Sequence, residues 1–354
     1  MKIKTTYLVC VVALAALLAA PTARAGRLWL ESPTFRPGTG GLASVTRLLT
    51  SPPRHLTSAS WWGGTYTVPD GEHVSLYIST SYPEADALAQ EWVAFFAGLP
   101  HGKELSLAKV YIAPIDEVSE MCHSDEVVGC YGGQTVVTVG DSTAGFAPAS
   151  IAAHEYGHHI AANRSNGPWP AIDWGTKRWA SAMGICGRVA TGTAFPGDEG
   201  PDYSLNPGEA FAESYRVLVE TNGTAVGYDW PIIDPSFRPT SESLAAIRED
   251  VLHPWVGPTT KTIRGKFLRQ RRAWSTQVAT FLDGDLRLRV TVPGGGADDV
   301  TLLSSDGRTV LATGSWASSG GKSVEYQVCG ARSVRVRVTR SGAAARFTLQ
   351  VQAP

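Results

Sequence analysis

Residues 154–158 spell His-Glu-Tyr-Gly-His, and this short run constrains the chain more than any other feature. It lies within a segment, residues 148–163, that begins with Pro and is predicted to be one helix. Positions four apart on a helix lie on the same face, so His154 and His158 project together. Two imidazoles at this spacing can hold one metal ion, and Glu155 can reach a water molecule on that ion. The run therefore predicts a metal site built on a helix.

A zinc ion used for catalysis needs a third protein ligand and one open position. The best supplier is a helix predicted over residues 207–220, where Glu209 and Glu213 lie four apart on one face. One carboxylate can bind the metal, and the other can accept the free ring N–H of a ligand histidine and fix its tautomer. The alternative is an ordinary pair of helices, with two surface histidines on one and two solvated carboxylates on the other.

The two motifs together resemble the gluzincin group of zinc metallopeptidases. His-Glu-Tyr-Gly-His is followed some fifty residues later by Glu-Ala-Phe-Ala-Glu, and the pattern is closest to the branch related to anthrax lethal factor. The resemblance covers about residues 136–220, a minority of the chain. It implies that Zn²⁺ is the cofactor and that Glu209, the first Glu of the second run, joins the two histidines as a ligand.

The same resemblance assigns the remaining site residues. Glu213 would contact a ligand histidine without binding the metal, and Tyr203, shortly before the ligand glutamate, would stabilise the oxyanion. Glu155 would act as the general base that accepts a proton from the attacking water and passes it to the leaving nitrogen. The substrate implied is a peptide or protein. From its position alone, and not from the resemblance, the strand predicted at residues 134–139 is expected to hold the peptide by edge pairing.

Two alternatives from other functional classes stay open. One is a catalytically silent, secreted binding protein on a zincin scaffold, and the other is a metal hydrolase that acts on a non-peptide bond. The intact Glu155 argues against the first alternative, because a pure binding scaffold has no need of a general base. The motif does not discriminate against the second, since it specifies the base and the metal ligands but not the bond attacked.

Residues 1–25 have the pattern of a secretory signal peptide. A basic start is followed by an apolar run over residues 7–20 and by Ala-Arg-Ala at 23–25, which predicts cleavage after Ala25. The apolar run is too short to span a membrane comfortably, and no second run is long enough. We therefore expect a secreted protein without stable membrane insertion.

The formal net charge of −1 gives no electrostatic reason to expect nucleic acid or an anionic membrane as the main partner. A basic run nevertheless occurs at residues 264–272. We interpret it as a solvated linker, with a processing site or a cell-surface contact as the alternatives.

Four cysteines lie beyond the predicted signal peptide, and an oxidising compartment favours their pairing. Cys122 and Cys130 close a short polar loop and are predicted to form a disulfide. Cys186 and Cys329 either pair, which would tie the two halves of the chain together, or stay buried as free thiols.

The predicted fold class is α+β, in an order of segments that runs from the signal peptide to an accessory domain. We expect a zincin-like catalytic domain over residues 26–255, with a small sheet beside the metal-binding helix. A basic linker follows at 256–275, and an all-β sandwich occupies 276–354, where short alternating runs are separated by Gly-rich turns.

Two segments keep open interpretations. Residues 27–60 are irregular and Pro-containing, and form either an ordered arm or a short pro-segment. Asp198, Glu199 and Asp202 form either a solvated acidic loop or a calcium site.

Overall fold

The structure, a computed structural model, describes residues 46–49, 51–53, 60–124, 127–143, 145–293, 299–316, 321–340 and 345–354. The predicted signal peptide and much of the 27–60 segment lie outside the described residues. Helices and strands are both abundant in the described ranges, which confirms the α+β class.

The first sheet has six strands. Their bounds are β1 Thr46–Leu48, β2 Trp61–Thr67, β3 His73–Ser79, β4 Lys109–Ala113, β5 Gly129–Gly132 and β6 Thr135–Val139. Their spatial order is β1-β5-β6-β4-β3-β2. Strands β3, β4 and β6 are mutually parallel, β2 and β5 run antiparallel to their inner neighbours, and β1 pairs with β5 in parallel.

The position of β6 corrects one prediction. The strand predicted at residues 134–139 exists, but β5 and β4 flank it on both sides, so it has no open edge for a peptide. All five of its residues are buried, as the Val- and Thr-rich sequence of a central strand requires. Strand β5 lies one position further out and is the strand beside the metal motif.

Eight helices occur among the described residues. Their bounds are α1 Asp86–Gly98, α2 Ile115–Cys122, α3 Pro148–Ala162, α4 Ala171–Trp174, α5 Lys177–Ala182, α6 Ile185–Ala190, α7 Pro207–Thr221 and α8 Ser241–Leu252. The segment predicted as one helix over 177–187 is two, because Gly184 adopts φ 65° and begins a new helix.

The sheet separates two apolar cores. On one face, Leu76 and Val110 of the sheet pack with Phe96 of α1, Tyr156 of α3 and Phe211 of α7. The other face is covered by the short helix α2. Helices α3 and α7 therefore lie together on the larger core.

The C-terminal region consists of antiparallel strands. Their bounds are β7 Thr259–Lys266, β8 Ala273–Thr280, β9 Gly284–Thr291, β10 Asp299–Ser304, β11 Val310–Thr313, β12 Ser315–Trp316, β13 Lys322–Val328, β14 Arg332–Thr339 and β15 Arg346–Ala353. They form sheets of order β11-β10-β14-β8 and β12-β13-β9-β15-β7. Leu288 and Leu349 of the five-stranded sheet share a core with Leu302 and Val336 of the four-stranded sheet.

The basic segment at residues 256–275, which was predicted to be a linker, contains a β-strand. Strand β7 lies within residues 256–275 and pairs with β15 along its whole length, from Thr259 to Lys266. It is the outer strand of its sheet, where exposed charges protect an edge from unwanted pairing. The charges that suggested a solvated linker are the solvated face of an edge strand.

Two disulfides are present. The predicted Cys122–Cys130 bridge is confirmed and joins the end of α2 to β5. Cys186 and Cys329, whose pairing the sequence left open, also form a bridge and link α6 to the C-terminal strands. In the described part of the chain no helix combines the length and apolarity needed to cross a bilayer.

Candidate metal centre

The site is built on helices α3 and α7, and a proline marks the first residue of each helix. Pro148 and Pro207 each occupy a first helical position, where the missing N–H costs nothing. Asn206 caps α7, since its side-chain oxygen accepts a hydrogen bond from the Gly208 N–H at 3.0 Å. Both helices are therefore well defined at the ends nearest the motifs.

A glycine lets the two helices approach closely. A Cβ atom at Gly157 would lie 2.8 Å from the Cα of Ala212 and 3.0 Å from its carbonyl oxygen. Gly in a helix interior costs about 1 kcal/mol relative to Ala. At this position the cost has a structural reason, because no side chain fits between α3 and α7.

The three predicted ligands converge. Nε2 of His154 lies 3.2 Å from Oε2 of Glu209, and Nε2 of His158 lies 3.2 Å from Oε1 of the same carboxylate. One candidate ligand atom from each of the three residues lies within 4.8 Å of the other two. His154 is 2% exposed, and His158 and Glu209 are 0% exposed. The arrangement is a buried His, His, Glu group that can hold a metal ion.

The electrostatics of the group favour a cation. Burial alone would disfavour a charged His154, but the carboxylates of Glu209 and Glu213 outweigh it and raise the pKa of His154 to about 10. Although burial acts in the opposite direction, His158 and His154 hold the pKa of Glu209 well below its ordinary value. A site that retains a proton so strongly has a negative electrostatic potential. A divalent cation can bind there in place of the proton.

Glu213 lies behind the first histidine, as predicted. Its Oε2 is 3.1 Å from Nδ1 of His154, which leaves Nε2 of that ring directed at Glu209. Arg216 donates two hydrogen bonds to the Glu213 carboxylate, at 3.0 and 2.7 Å. Burial works against the charge of Glu213, but Arg216 and His154 prevail and lower its pKa to about 2. Glu213 is therefore positioned to orient the His154 ring.

Glu155 is buried, and neither of its carboxylate oxygens has a hydrogen-bond partner among the described residues. Burial raises its pKa well above the ordinary value. Gly129 of β5 lies beside Glu155, since an added Cβ at this glycine would lie 2.9 Å from Oε1 of Glu155. A buried carboxylate with unsatisfied oxygens is costly, and such a cost is typical of a group kept for chemistry.

Tyr203 also reaches the site. It lies in a 3₁₀ turn, Tyr203–Leu205, directly before α7. Its hydroxyl donates a hydrogen bond of 2.7 Å to Oε2 of Glu209, the same oxygen that faces His154. The spacing between Tyr203 and Glu209 therefore brings the phenol into contact with a ligand residue.

Tyr131 and Gly129 of β5 border the site, and the sequence analysis missed both. The Tyr131 ring stacks on His158 with centroids 6.3 Å apart and an interplanar angle of 20°. Strand β5 has only four residues, two of them Gly, so it lacks the alternation that identifies a strand. The bridge at Cys130 was the one signal that could have placed it near α2.

Acidic side chains within residues 198–202, for which a calcium site was one interpretation, make hydrogen bonds within the protein. The Asp198 carboxylate accepts hydrogen bonds from the backbone N–H groups of Gly200 and Asp202. Glu199 turns towards the metal centre, where burial and the charge of Glu209 raise its pKa to about 8. Of the described residues, only the His, His, Glu group brings three such ligand atoms together, so Asp198, Glu199 and Asp202 do not.

No protein-family model matches the chain, and no curated protein sequence matches it either. The interpretation of the site therefore depends on its own geometry.

Proposed function

We propose that the protein is a zinc-dependent metallopeptidase. The observation that carries this proposal is the convergence of His154, His158 and Glu209 beside Glu155, a buried carboxylate with no hydrogen-bond partner among the described residues. Two ligands and the base come from one helix, and the third ligand comes from a second helix held close by Gly157. That division of labour supports membership of the gluzincin group.

The donor set fits zinc. Two imidazole nitrogens and one carboxylate oxygen form a common ligand set of catalytic zinc, with a fourth position left for water or substrate. Bound zinc supplies an activated water and polarises the carbonyl that is attacked. The buried surroundings strengthen every charge–charge interaction within the site.

The chain's own residues divide the remaining work. Glu155 accepts the proton of the attacking water and transfers it to the leaving nitrogen of the peptide. Glu213 holds the Nδ1 proton of His154, so that Nε2 keeps its lone pair for the metal. The Tyr203 hydroxyl, already beside Glu209, donates a hydrogen bond to the oxygen that becomes negative.

The test compares metal content and hydrolysis of fluorescein-labelled casein in the wild type, Glu155→Gln and Glu91→Gln. Glu91 is an exposed carboxylate on α1 and serves as the matched control. We expect one zinc per chain in all three proteins. We expect activity in the wild type and the control, and a loss of about 10²- to 10⁴-fold in Glu155→Gln.

Other outcomes separate the two alternatives. Zinc in every protein without casein hydrolysis, but with Glu155-dependent hydrolysis of a small ester, would favour a hydrolase of non-peptide bonds. Zinc without hydrolysis of either substrate would favour a silent binding protein on this scaffold. No bound zinc or other divalent ion would reject all three.

We further propose that the protein is secreted, which its two disulfides support. A separation of charge supports a contact between the C-terminal strands and an anionic cell surface. Residues 259–354 contain 15 Lys and Arg against 6 Asp and Glu, whereas residues 26–258 contain 13 against 26. The net charge of −1 conceals this separation.

Exposed cations around β7 and the following turn would make the contact. Lys266, Arg269 and Arg271 are exposed, and the ion pairs of the described C-terminal residues involve Arg287 and Arg308 instead. We expect Arg269→Glu/Arg271→Glu to leave a polyanionic resin at lower salt than Arg308→Glu. Equal elution of the two variants would reject this contact.

A further inference from the structure

An extended N-terminal segment lies beside the metal centre. We call residues 46–49 and 51–53 the strap. Its strand β1 pairs with β5 in parallel, with Thr46 opposite Gly129 and Leu48 opposite Tyr131. The strap thus occupies the outer edge of the strand that borders the site.

Backbone hydrogen bonds hold the strap. The Leu49 N–H donates to the Tyr131 carbonyl at 2.8 Å, and the Leu48 N–H donates to Oε2 of Glu199 at 3.3 Å. Glu199 is thereby shared, because its other oxygen accepts from Asn206, the cap of the ligand helix. The strap is therefore connected to the loop that leads into α7.

Two glycines form the surface on which the strap rests. A Cβ atom at Gly132 would lie 3.0 Å from Cβ of Leu49, and one at Gly133 would lie 2.6 Å from Cγ of Pro52. Side chains at these positions would separate the strap from the sheet. The bare backbone at the end of β5 allows an extended chain to lie against it.

The edge that the strap occupies is next to the reacting groups. A Cβ atom at Gly129 would lie 2.9 Å from Oε1 of Glu155, and the ring of Tyr131 stacks on the His158 imidazole. A peptide hydrolysed at this site must bring its carbonyl group close to Glu155 and His158. An extended peptide would find backbone hydrogen-bond partners at the outer edge of β5. The strap already forms hydrogen bonds along this edge.

The strap is short and only half-buried. Strand β1 has only three residues, and Leu48 and Leu49 are half-buried. A cavity of about 510 Å³ lies beside them, lined also by Tyr131, Ile172 and Glu199. The strap therefore borders this cavity without filling it, and Leu48 and Leu49 are its apolar contacts with the cores.

We infer that the strap is an autoinhibitory segment, which occupies the peptide-pairing edge of β5 and must move away before an extended substrate can bind. This inference rests on the proposed peptidase function for its consequence. The displacement itself can be measured without turnover.

Strand geometry identifies the atom that reports on displacement. The Val139 N–H donates to the Val128 carbonyl, so alternate residues Cys130 and Gly132 face β6 in the antiparallel ladder. The residues between them, including Tyr131, face the strap. Hydrogen exchange at the Tyr131 amide should therefore accelerate when the strap is released.

The test uses Leu49→Pro in the full chain, because proline removes the N–H that donates to Tyr131. The control is Ser51→Pro, at a strap residue whose N–H makes no hydrogen bond among the described residues. We expect at least about tenfold faster exchange at the Tyr131 amide in Leu49→Pro than in the control. A Leu48→Ala/Leu49→Ala variant loosens the strap without proline and should give the same direction.

Binding is measured by anisotropy of fluorescein-labelled casein in the Glu155→Gln background. We expect Leu49→Pro to bind about tenfold more tightly than the parent and to lose the gain when a synthetic peptide of residues 46–53 is added. A scrambled peptide should have no effect. Faster exchange without tighter casein binding would overturn the inference.

Turnover then distinguishes the two proposals. If Leu49→Pro with Glu155 intact binds casein more tightly but neither it nor the wild type hydrolyses casein, the peptidase function fails while the strap's occupation of the edge stands. If the wild type hydrolyses casein at the same rate as Leu49→Pro, the peptidase function stands and autoinhibition is rejected.

Discussion

Oε2 of Glu213 lies 3.1 Å from Nδ1 of His154, and Arg216 donates hydrogen bonds to both oxygens of the same carboxylate. The histidine therefore cannot turn without breaking a buried, charged contact. This relationship keeps the other ring nitrogen directed at Glu209, within the group that could hold a metal ion.

Glu213→Gln is expected to weaken zinc binding about 10- to 100-fold, because the amide no longer orients His154 as a charged acceptor. Competition with a chelator of known affinity measures the change. Glu220→Gln is the matched control, since Glu220 contacts Arg216 but no ligand histidine. Similar losses in the two variants would assign the effect to Arg216 and not to His154.

Metal-free protein is expected to lose stability as pH falls from about 4.5 to about 2, because Glu213 has a lowered pKa of about 2 when folded and an ordinary value of 4.5 when unfolded. The folded state binds fewer protons in this range, so the stabilisation is complete above it and disappears at its lower end. The contribution is of order 3 kcal/mol.

Urea unfolding of chelator-treated protein at several pH values checks this expectation. Glu213→Gln should show a smaller slope of stability against pH in the same range. An unchanged slope in the variant would show that another carboxyl group carries the acid dependence.

Gly157→Ala is expected to destabilise the protein by about 1–3 kcal/mol, because the new methyl group would collide with the backbone of Ala212. Zinc affinity should fall as well, since α7 carries Glu209. Gly187→Ala is the control: Gly187 is also helical, but nothing lies within 4 Å of its added Cβ. There the substitution should be neutral or stabilising, as Ala is the better helix former.

Tyr203→Phe is expected to lower kcat about 100-fold at saturating zinc, because one donor to the developing oxyanion is lost. Tyr228→Phe, whose hydroxyl bonds to the Pro239 carbonyl, should leave kcat unchanged. An unaltered kcat with weaker zinc binding in Tyr203→Phe would restrict the role of the hydroxyl to holding Glu209.

Removal of the Cys186–Cys329 bridge is expected to cost more stability than removal of Cys122–Cys130. The bridges join residues separated by 143 and 8 positions respectively. Loop-closure entropy predicts losses of about 5 and about 2.5 kcal/mol. Urea unfolding of the two double Cys→Ser variants measures the difference, and equal losses would contradict the entropic account.

The site was more predictable than its surroundings. Helices α3 and α7 carry their ligands at fixed spacings, so local sequence was enough to place His154, His158 and Glu209 on common faces. The convergence of the two helices depends on long-range packing, and Gly157 was the only local sign of it.

The strands beside the site show what local sequence omits. The pairing of β1 with β5 joins residues more than 80 positions apart, and neither strand is long enough to show a period of two. Strand β7 was missed for a different reason, since its charges belong to an exposed edge and hide the inward-facing Ile263. In each case the partner strand, and not the segment itself, determines the structure.

Cys130 lies in β5 between Gly129, beside which Glu155 leaves no room for a side chain, and Tyr131, which stacks on His158. Its bridge to α2 ties one wall of the cleft to the opposite face of the sheet. In a reducing environment the Cys122–Cys130 bridge would not form, so β5 would lack its covalent link to α2. Oxidation of these two cysteines is therefore a step in building the side of the site formed by β5, as well as in stabilising the finished molecule.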